Sequence, residues 1–217
     1  MFIGHFAVGL GAKRAARRVS LGTLIMAAQL VDLLWPVFLL LGIEEVRIAP
    51  GNTAFTPLDF VSYPVTHSLV AGIGWAVLLG SAHFATRRRL RDAAVVAGAV
   101  VSHWVLDWVS HGPDMPIVPG GPRYGLGLWN SVPATVGVEG LLFVGGLALY
   151  LRTTRARDRV GTWALWCLVA FLVAAYAANL AGPPPANARA LAWVALAAWL
   201  FVPWGYWIDR HRTARGA

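Results

Sequence analysis

The sequence predicts an all-α membrane protein with six transmembrane helices, preceded by a short N-terminal half-helix or interfacial helix. Of its 217 residues, 58% are hydrophobic and only 13% are charged, whereas soluble domains are about half apolar and about a quarter charged. Apolar runs without Lys or Arg recur along the chain, each close to the roughly 20 residues that a helix needs to cross a bilayer. Since no composition shift divides the chain, we expect one integral membrane domain over residues 1–217.

The six predicted spans follow these apolar runs in order. They cover residues 20–42, 64–85, 92–111, 127–151, 160–181 and 190–208. The connecting segments are rich in Pro and Gly, as in APGNTAFTPLD and GPPPANA, or short and basic, as in TRRRLR and RTTRARDR, which is typical of loops at a membrane surface. Residues 1–12 are too short to span, so they predict a half-helix that enters the membrane or a helix at its interface. No positive region precedes them, which argues against a removable signal peptide.

The basic residues predict an orientation. Fifteen of the 18 Lys and Arg residues fall on one predicted side, at 13–18, 87–91, 152–159 and 210–215, and only Arg47, Arg123 and Arg189 fall on the other. Cytoplasmic loops hold the excess of Lys and Arg, so we expect both termini on the cytoplasmic side of a bacterial inner membrane. The net charge of +8 then indicates contact with membrane lipids and no nucleic-acid partner. The oligomeric state stays open.

Three acidic residues fall inside the predicted spans, namely Asp32, Asp107 and Glu139. Each costs about 2.5–3.5 kcal/mol near the centre of a membrane helix. No Lys or Arg lies inside any span, which leaves His, a proton or a metal ion to compensate. Histidine is at hand, because His103 and His111 flank Asp107 at intervals of one helical turn in SHWVLDWVSH.

This combination of residues favours a divalent metal site, since imidazole and carboxylate are ligands for Zn, Mn and Fe. We expect Zn, with Mn or Fe as alternatives, and one or two ions. The candidate ligands are His5, Asp32, His67, His103 and Asp107. The candidate catalytic residues are Asp107, Glu139 and His111. All of them lie in residues 1–151, whereas the two C-terminal helices in 160–208 are apolar.

The same residues have structural explanations. A bond between His103 and Asp107 can join two helices, Asp32 and Glu139 can be protonated carboxyl groups bonded to the backbone, and His111 can be a solvated residue at the outer rim. Aromatic residues near the predicted span ends are expected in the belt at the membrane interface. These are Trp104, Trp108 and Trp129.

The order of the motifs GHFAVG, QLVD, THS and SHWVLDWVS over residues 1–112 resembles that of an inner-membrane, metal-dependent hydrolase family. That family is similar to zinc-dependent phospholipase C, so the resemblance implies a metal site built from the five candidate ligands. Two stretches differ from the family pattern. The family usually has a second acid where this chain has LVDLLWP, and a His-Arg pair where this chain has SYP before THS. Glu139 is a candidate to replace the missing acid.

The expected activity is hydrolysis of an ester or phosphoester, with a lipid or lipid-linked molecule as the substrate. The predicted site lies towards the outer ends of the spans, where the long segments 43–63 and 112–126 are positioned to cover it. Arg123 is the candidate to bind a substrate phosphate, with an ordinary solvated arginine as the alternative.

Two other function classes would use the same polar residues. A small permease coupled to protons or metal ions needs polar groups across the full membrane thickness. An electron-transfer protein would hold haem between His67 and His103.

Overall fold

The computed structural model describes residues 1–215. It is predominantly helical, and six of its helices are long and apolar enough to cross a membrane, which agrees with the number predicted. The helices are α1 (Ile3–Ala12), α2 (Leu21–Leu40), α3 (Leu69–Arg87), α4 (Leu90–Ser110), α5 (Val132–Thr153), α6 (Arg159–Ala181), α7 (Ala188–Leu196) and α8 (Phe201–Arg210). A 3-10 turn, Ala197–Leu200, joins α7 and α8 into one apolar unit.

Short strands occur in segments that were expected to be irregular loops. They form three antiparallel pairs: β1 (Glu45–Ile48) with β2 (Leu58–Ser62), β3 (Met115–Pro116) with β4 (Arg123–Tyr124), and β5 (Thr154–Ala156) with β6 (Arg212–Ala214). Apolar periodicity does not reveal strands of two to five residues, because so few side chains alternate.

Local capping shifts the helix boundaries and thereby places two candidate histidines. Helix α3 begins at Leu69, because the Ser68 side chain accepts a hydrogen bond from the backbone N–H of Ala71. His67 therefore lies in the turn before α3 and not within a span. Helix α4 ends at Ser110, and His111 follows it with an extended backbone. His111 therefore lies just outside the helix that carries His103 and Asp107.

Helix α1 lies inside the bundle, packed against α2, α4, α5 and α6. Its side chains Ile3, His5, Phe6 and Leu10 are all buried, so this helix is enclosed and does not lie on the surface of the protein. Gly146 of α5 permits this close packing, because a Cβ at that position would meet the backbone of Ala7. The position of α1 is therefore fixed by contacts with helices that are distant in sequence.

The two ends of the bundle differ in chemistry. At one end, which we call the basic end, Lys13 donates hydrogen bonds of 2.7 Å to Asp209 Oδ2 and of 2.7 Å to the carbonyl of Val19. The same end holds the β5–β6 pair and the arginine-rich segments. The opposite end, which we call the hairpin end, holds β1–β2 and β3–β4. The candidate histidines and acids lie towards the hairpin end.

Candidate metal centre

Asp107 of α4 lies between two imidazole rings. Its Oδ1 is 3.1 Å from Nε2 of His5, and its Oδ2 is 3.1 Å from Nε2 of His103. His103 precedes Asp107 by one helical turn, so both side chains project from the same face of α4. His5 is supplied by the enclosed helix α1. All three residues are buried, so three potential ligands from two helices meet away from solvent.

Asp32 and His67 complete the centre from α2 and from the turn before α3. Asp32 Oδ1 is 3.5 Å from Nε2 of His67 and 3.5 Å from Nε2 of His103. His67 Nε2 is also 3.7 Å from Asp107 Oδ2. The structure therefore brings all five predicted ligands together. They form two overlapping sets that share His103, and within each set the ligand atoms lie within 4.8 Å of one another.

The outer nitrogens of two rings are held by hydrogen bonds that leave Nε2 directed into the centre. His103 Nδ1 is 2.9 Å from the carbonyl oxygen of Ala28. A carbonyl oxygen only accepts, so Nδ1 carries a proton, and whenever the ring is neutral its Nε2 presents a lone pair. This Nε2 is buried and has no hydrogen-bond partner. This nitrogen faces the carboxylates of Asp32 and Asp107, and a lone pair in that position is stabilised by a proton or a cation. The position of His103 Nε2 therefore fits that of a metal ligand.

The ring of His67 is oriented in the same way, through Thr66 and Glu44, which the sequence analysis did not identify. Its Nδ1 is 2.7 Å from the hydroxyl of Thr66, and that hydroxyl donates to Glu44 Oε2 at 2.7 Å. Glu44 Oε1 also accepts from the backbone N–H groups of Val65 and Thr66 at 2.9 and 2.8 Å. Because the hydroxyl proton is directed to Glu44, the Thr66 oxygen accepts from His67, and Nε2 again presents its lone pair to the centre.

The amino group of Met1 is a cation that lies next to Asp107. The amino group of Met1 contacts Asp107 Oδ1, and it also donates to the hydroxyl of Ser110 at 3.2 Å. For Asp107, the expectation that only His, a proton or a metal ion is available to compensate is therefore wrong, because that expectation considered side chains alone. The amino group and a metal ion are competing ways to neutralise the same carboxylate.

His111 is buried against the edge of the centre, so the alternative in which it is a solvated residue is wrong. Its Nε2 is 4.0 Å from Asp107 Oδ1, and its Nδ1 is 3.0 Å from Asp114 Oδ1. The hydroxyl of Tyr63 donates to the same Asp114 oxygen at 2.9 Å. Burial and the adjacent Asp114 carboxylate raise the pKa of Tyr63, which keeps this hydroxyl a donor. The three-residue spacing from His111 was the available signal for Asp114.

Aromatic side chains from the hairpin end cover His111. The rings of Trp129 and Phe60 lie 4.1 and 4.6 Å from the His111 ring, centroid to centroid. Trp129 is only 8% exposed, so it forms a wall of the site, and its assignment to an interfacial belt is wrong. The segment 43–63 supplies Phe60 and Tyr63, and it lies over the site as expected.

Glu139 caps helix α1. Its Oε2 accepts hydrogen bonds from the backbone N–H groups of Phe2 and Gly4 at 2.9 and 3.2 Å, while Oε1 is buried without a partner. This arrangement matches the alternative in which the acid bonds to backbone, and it positions the helix that carries His5.

Arg123 lies on β4 at the surface and donates to the carbonyl of Val61 at 2.9 Å. It does not line the cavity beside the centre, so a role in binding substrate phosphate stays a prediction.

A small cavity adjoins the centre at the hairpin end. Its volume is about 140 Å³, which is too little for a haem macrocycle between His67 and His103. Asp32, His67, Asp107 and His111 line its polar side, and aromatic residues including Trp35 and Trp129 line its apolar side. The Asp32 side chain is 36% exposed, whereas those of the two partner histidines are at most 3% exposed. Access to the centre is therefore on the Asp32 side.

Comparison with protein-family models, curated proteins and solved structures gives no match for this chain. The resemblance to inner-membrane hydrolases thus depends on the four motifs alone. A functional conclusion has to come from the chemistry of the site.

Proposed function

We propose that this chain is a multi-pass protein of the bacterial inner membrane, with cytoplasmic termini, that hydrolyses an ester or phosphoester of a lipid-like substrate with the help of a divalent metal. One observation carries the proposal. The Nε2 atoms of His67 and His103 are directed at the Asp32 and Asp107 carboxylates, while a separate hydrogen bond holds each Nδ1. Metal-binding histidines in proteins have this arrangement.

The donor set suits Zn, Mn or Fe, because it combines imidazole nitrogens with carboxylate oxygens. The residues that would hold the metal are His5, Asp32, His67, His103 and Asp107. Two overlapping sets that share His103 are compatible with one ion or two. When bound, such an ion supplies Lewis acidity to the ester or phosphoester and acidifies a water molecule.

His111 is the best placed of the three candidate catalytic residues to transfer a proton. Asp107 is engaged by two imidazoles, and Glu139 is engaged by the N-terminus of α1. His111 lines the cavity, and the Asp114 carboxylate holds its Nδ1, which leaves Nε2 to take up or release a proton.

The competing proposal is a permease, which would need polar groups along the whole bundle. Polar side chains lie at both ends of helix α1, with His5 towards the hairpin end and Lys13, the residue that follows the helix, at the basic end. Between them Phe6, Ala7 and Leu10 are apolar and buried, which disfavours a polar path along α1. Hydrolysis therefore accounts better for a centre confined to one end.

Metal content and hydrolysis measured on the same purified protein test the proposal. We expect at least one Zn, Mn or Fe ion per chain by elemental analysis, together with hydrolysis of p-nitrophenyl esters or phosphodiesters. His103→Ala and Asp107→Ala should lose both, whereas His83→Ala, which removes a histidine near the basic end, should retain both. Metal-free wild-type protein, or undiminished hydrolysis by folded His103→Ala, would contradict the proposal.

A further inference from the structure

We propose that the substrate carries a long hydrocarbon chain, and that this chain lies in a groove between the segment 50–57 and the ends of α6 and α7 at the hairpin end. We call this feature the lateral groove. The inference depends on the proposed hydrolysis for the reaction, and it adds the substrate class and the place where that substrate binds.

The lateral groove has the size and composition of a ligand site for an apolar chain. Its volume is about 710 Å³, within the range of roughly 300–1,000 Å³ that small-molecule sites occupy. One wall consists of the segment 50–57, and the facing wall includes Ala178 of α6 and Ala190, Leu191 and Val194 of α7. None of its lining residues carries a formal charge. A phosphate would find no cation there, whereas an alkyl chain would be well accommodated.

The lateral groove adjoins the cavity beside the candidate metal centre. Phe55, Thr56 and Asn179 line both spaces. Phe55 is held in place, because its backbone N–H donates to the carbonyl of Trp129 at 3.0 Å and its ring lies 5.7 Å from that of Tyr176. A molecule that crosses this boundary would have its apolar part in the groove and its polar part beside Asp32.

The shared lining residues favour an occupant that reaches from one space into the other. The cavity of about 140 Å³ accommodates a compact ester or phosphoester group, and the groove accommodates the chain attached to it. Asn179 is exposed at the junction, where its amide can bond to the polar neck of such an amphiphile. A water-soluble ester fills only the cavity and gains nothing from the groove.

Chain-length dependence tests the inference. The probes are ethyl and hexadecyl p-nitrophenyl phosphate, or the corresponding p-nitrophenyl esters, with the protein in lipid nanodiscs. We expect Ala178→Trp to fill part of the groove and to lower kcat/KM for the hexadecyl substrate by about tenfold or more. The loss of burial of a few methylene groups of the substrate is sufficient for a change of this size. The ethyl substrate should be unaffected. Ala177→Trp is the matched control, because Ala177 is exposed on α6 but does not line the groove. Equal effects on both substrates would overturn the inference and leave the proposed hydrolysis intact.

Photolabelling gives a readout that needs no turnover. A hexadecyl phosphate with a diazirine near the end of its chain should label α6 and α7 around Ala178 and Leu191, and excess unlabelled hexadecyl phosphate should suppress this labelling. Uniform labelling of exposed apolar residues such as Val77 and Leu78 of α3 would overturn the inference. Saturable labelling of the groove without hydrolysis of any probe would support the groove and reject the proposed function.

Discussion

The imidazole rings of His5 and His103 stack face to face, with centroids 3.7 Å apart and planes inclined by only 3°. One ring belongs to α1 and the other to α4, and each directs Nε2 at a different oxygen of Asp107. The geometry of the centre therefore depends on the position in which α1 packs against the other helices. A displacement of this short helix would separate His5 from the other ligands.

The seating of α1 can be tested at Gly146, where any side chain would collide with the backbone of Ala7. We expect Gly146→Leu to displace α1, to destabilise the protein by about 1–3 kcal/mol, and to lower its metal content. Gly145→Leu is the control, because a Cβ at Gly145 has no heavy atom within 4 Å. Elemental analysis together with thermal unfolding measures both effects. Normal metal binding by Gly146→Leu would show that α1 is not needed.

The hydrogen-bond chain from Glu44 through Thr66 to His67 predicts an effect on metal affinity. Thr66→Val keeps the side-chain shape but removes the hydroxyl that His67 and Glu44 share. Loss of such outer partners typically weakens metal binding by about 10–100-fold. Thr66→Ser retains the hydroxyl and should bind metal like the wild type. Competition with a chelator of known affinity measures the difference, and equal affinity of the Val and Ser variants would contradict this role.

The pair of His111 and Asp114 predicts an effect on turnover. His111→Gln should lower kcat by a factor of about 10²–10⁴, which is the usual contribution of a positioned acid or base. Asp114→Asn should also lower kcat, but by a smaller factor, because this substitution changes only the orientation of the His111 ring. Metal content should be unchanged in both variants, which separates proton transfer from metal binding. Wild-type kcat in His111→Gln would exclude the assigned role.

At the basic end, His211 Nδ1 lies 2.7 Å from Asp158 Oδ2. The hydrogen bond from His211, together with one from the backbone of Gly161, lowers the pKa of Asp158. A lowered folded-state pKa stabilises the protein above the unfolded-state pKa of about 3.9, and this contribution is lost as the pH falls through the folded-state value. The pair is exposed, so the effect on stability is small. Carboxyl NMR titration should show a higher pKa for Asp158 in His211→Ala, and an unchanged titration would refute the pairing.

Much of the helical framework could be predicted from the sequence, because six long apolar runs have few other ways to satisfy their backbone in a membrane protein. The proximity of Asp32, His67, His103 and Asp107 was expected, since isolated acids within apolar spans are energetically costly. Glu44 and Asp114 escaped prediction because both lie in connecting segments, where a carboxylate is ordinarily solvated. Their roles arise from the way the hairpin end folds over the site, and hydrophobic periodicity contains no information about that.

The enclosed position of α1 has a consequence for the order of synthesis. Phe2 and Gly4 bond to Glu139, and the first of these contacts joins residues 137 positions apart. His5 therefore lies far upstream of Glu139, which supports its helix and is synthesised only after α2, α3 and α4. Contacts of such long range form late in folding. The five-residue centre is then expected to be complete only after insertion of α5, because shorter nascent chains lack the carboxylate that holds the helix carrying His5.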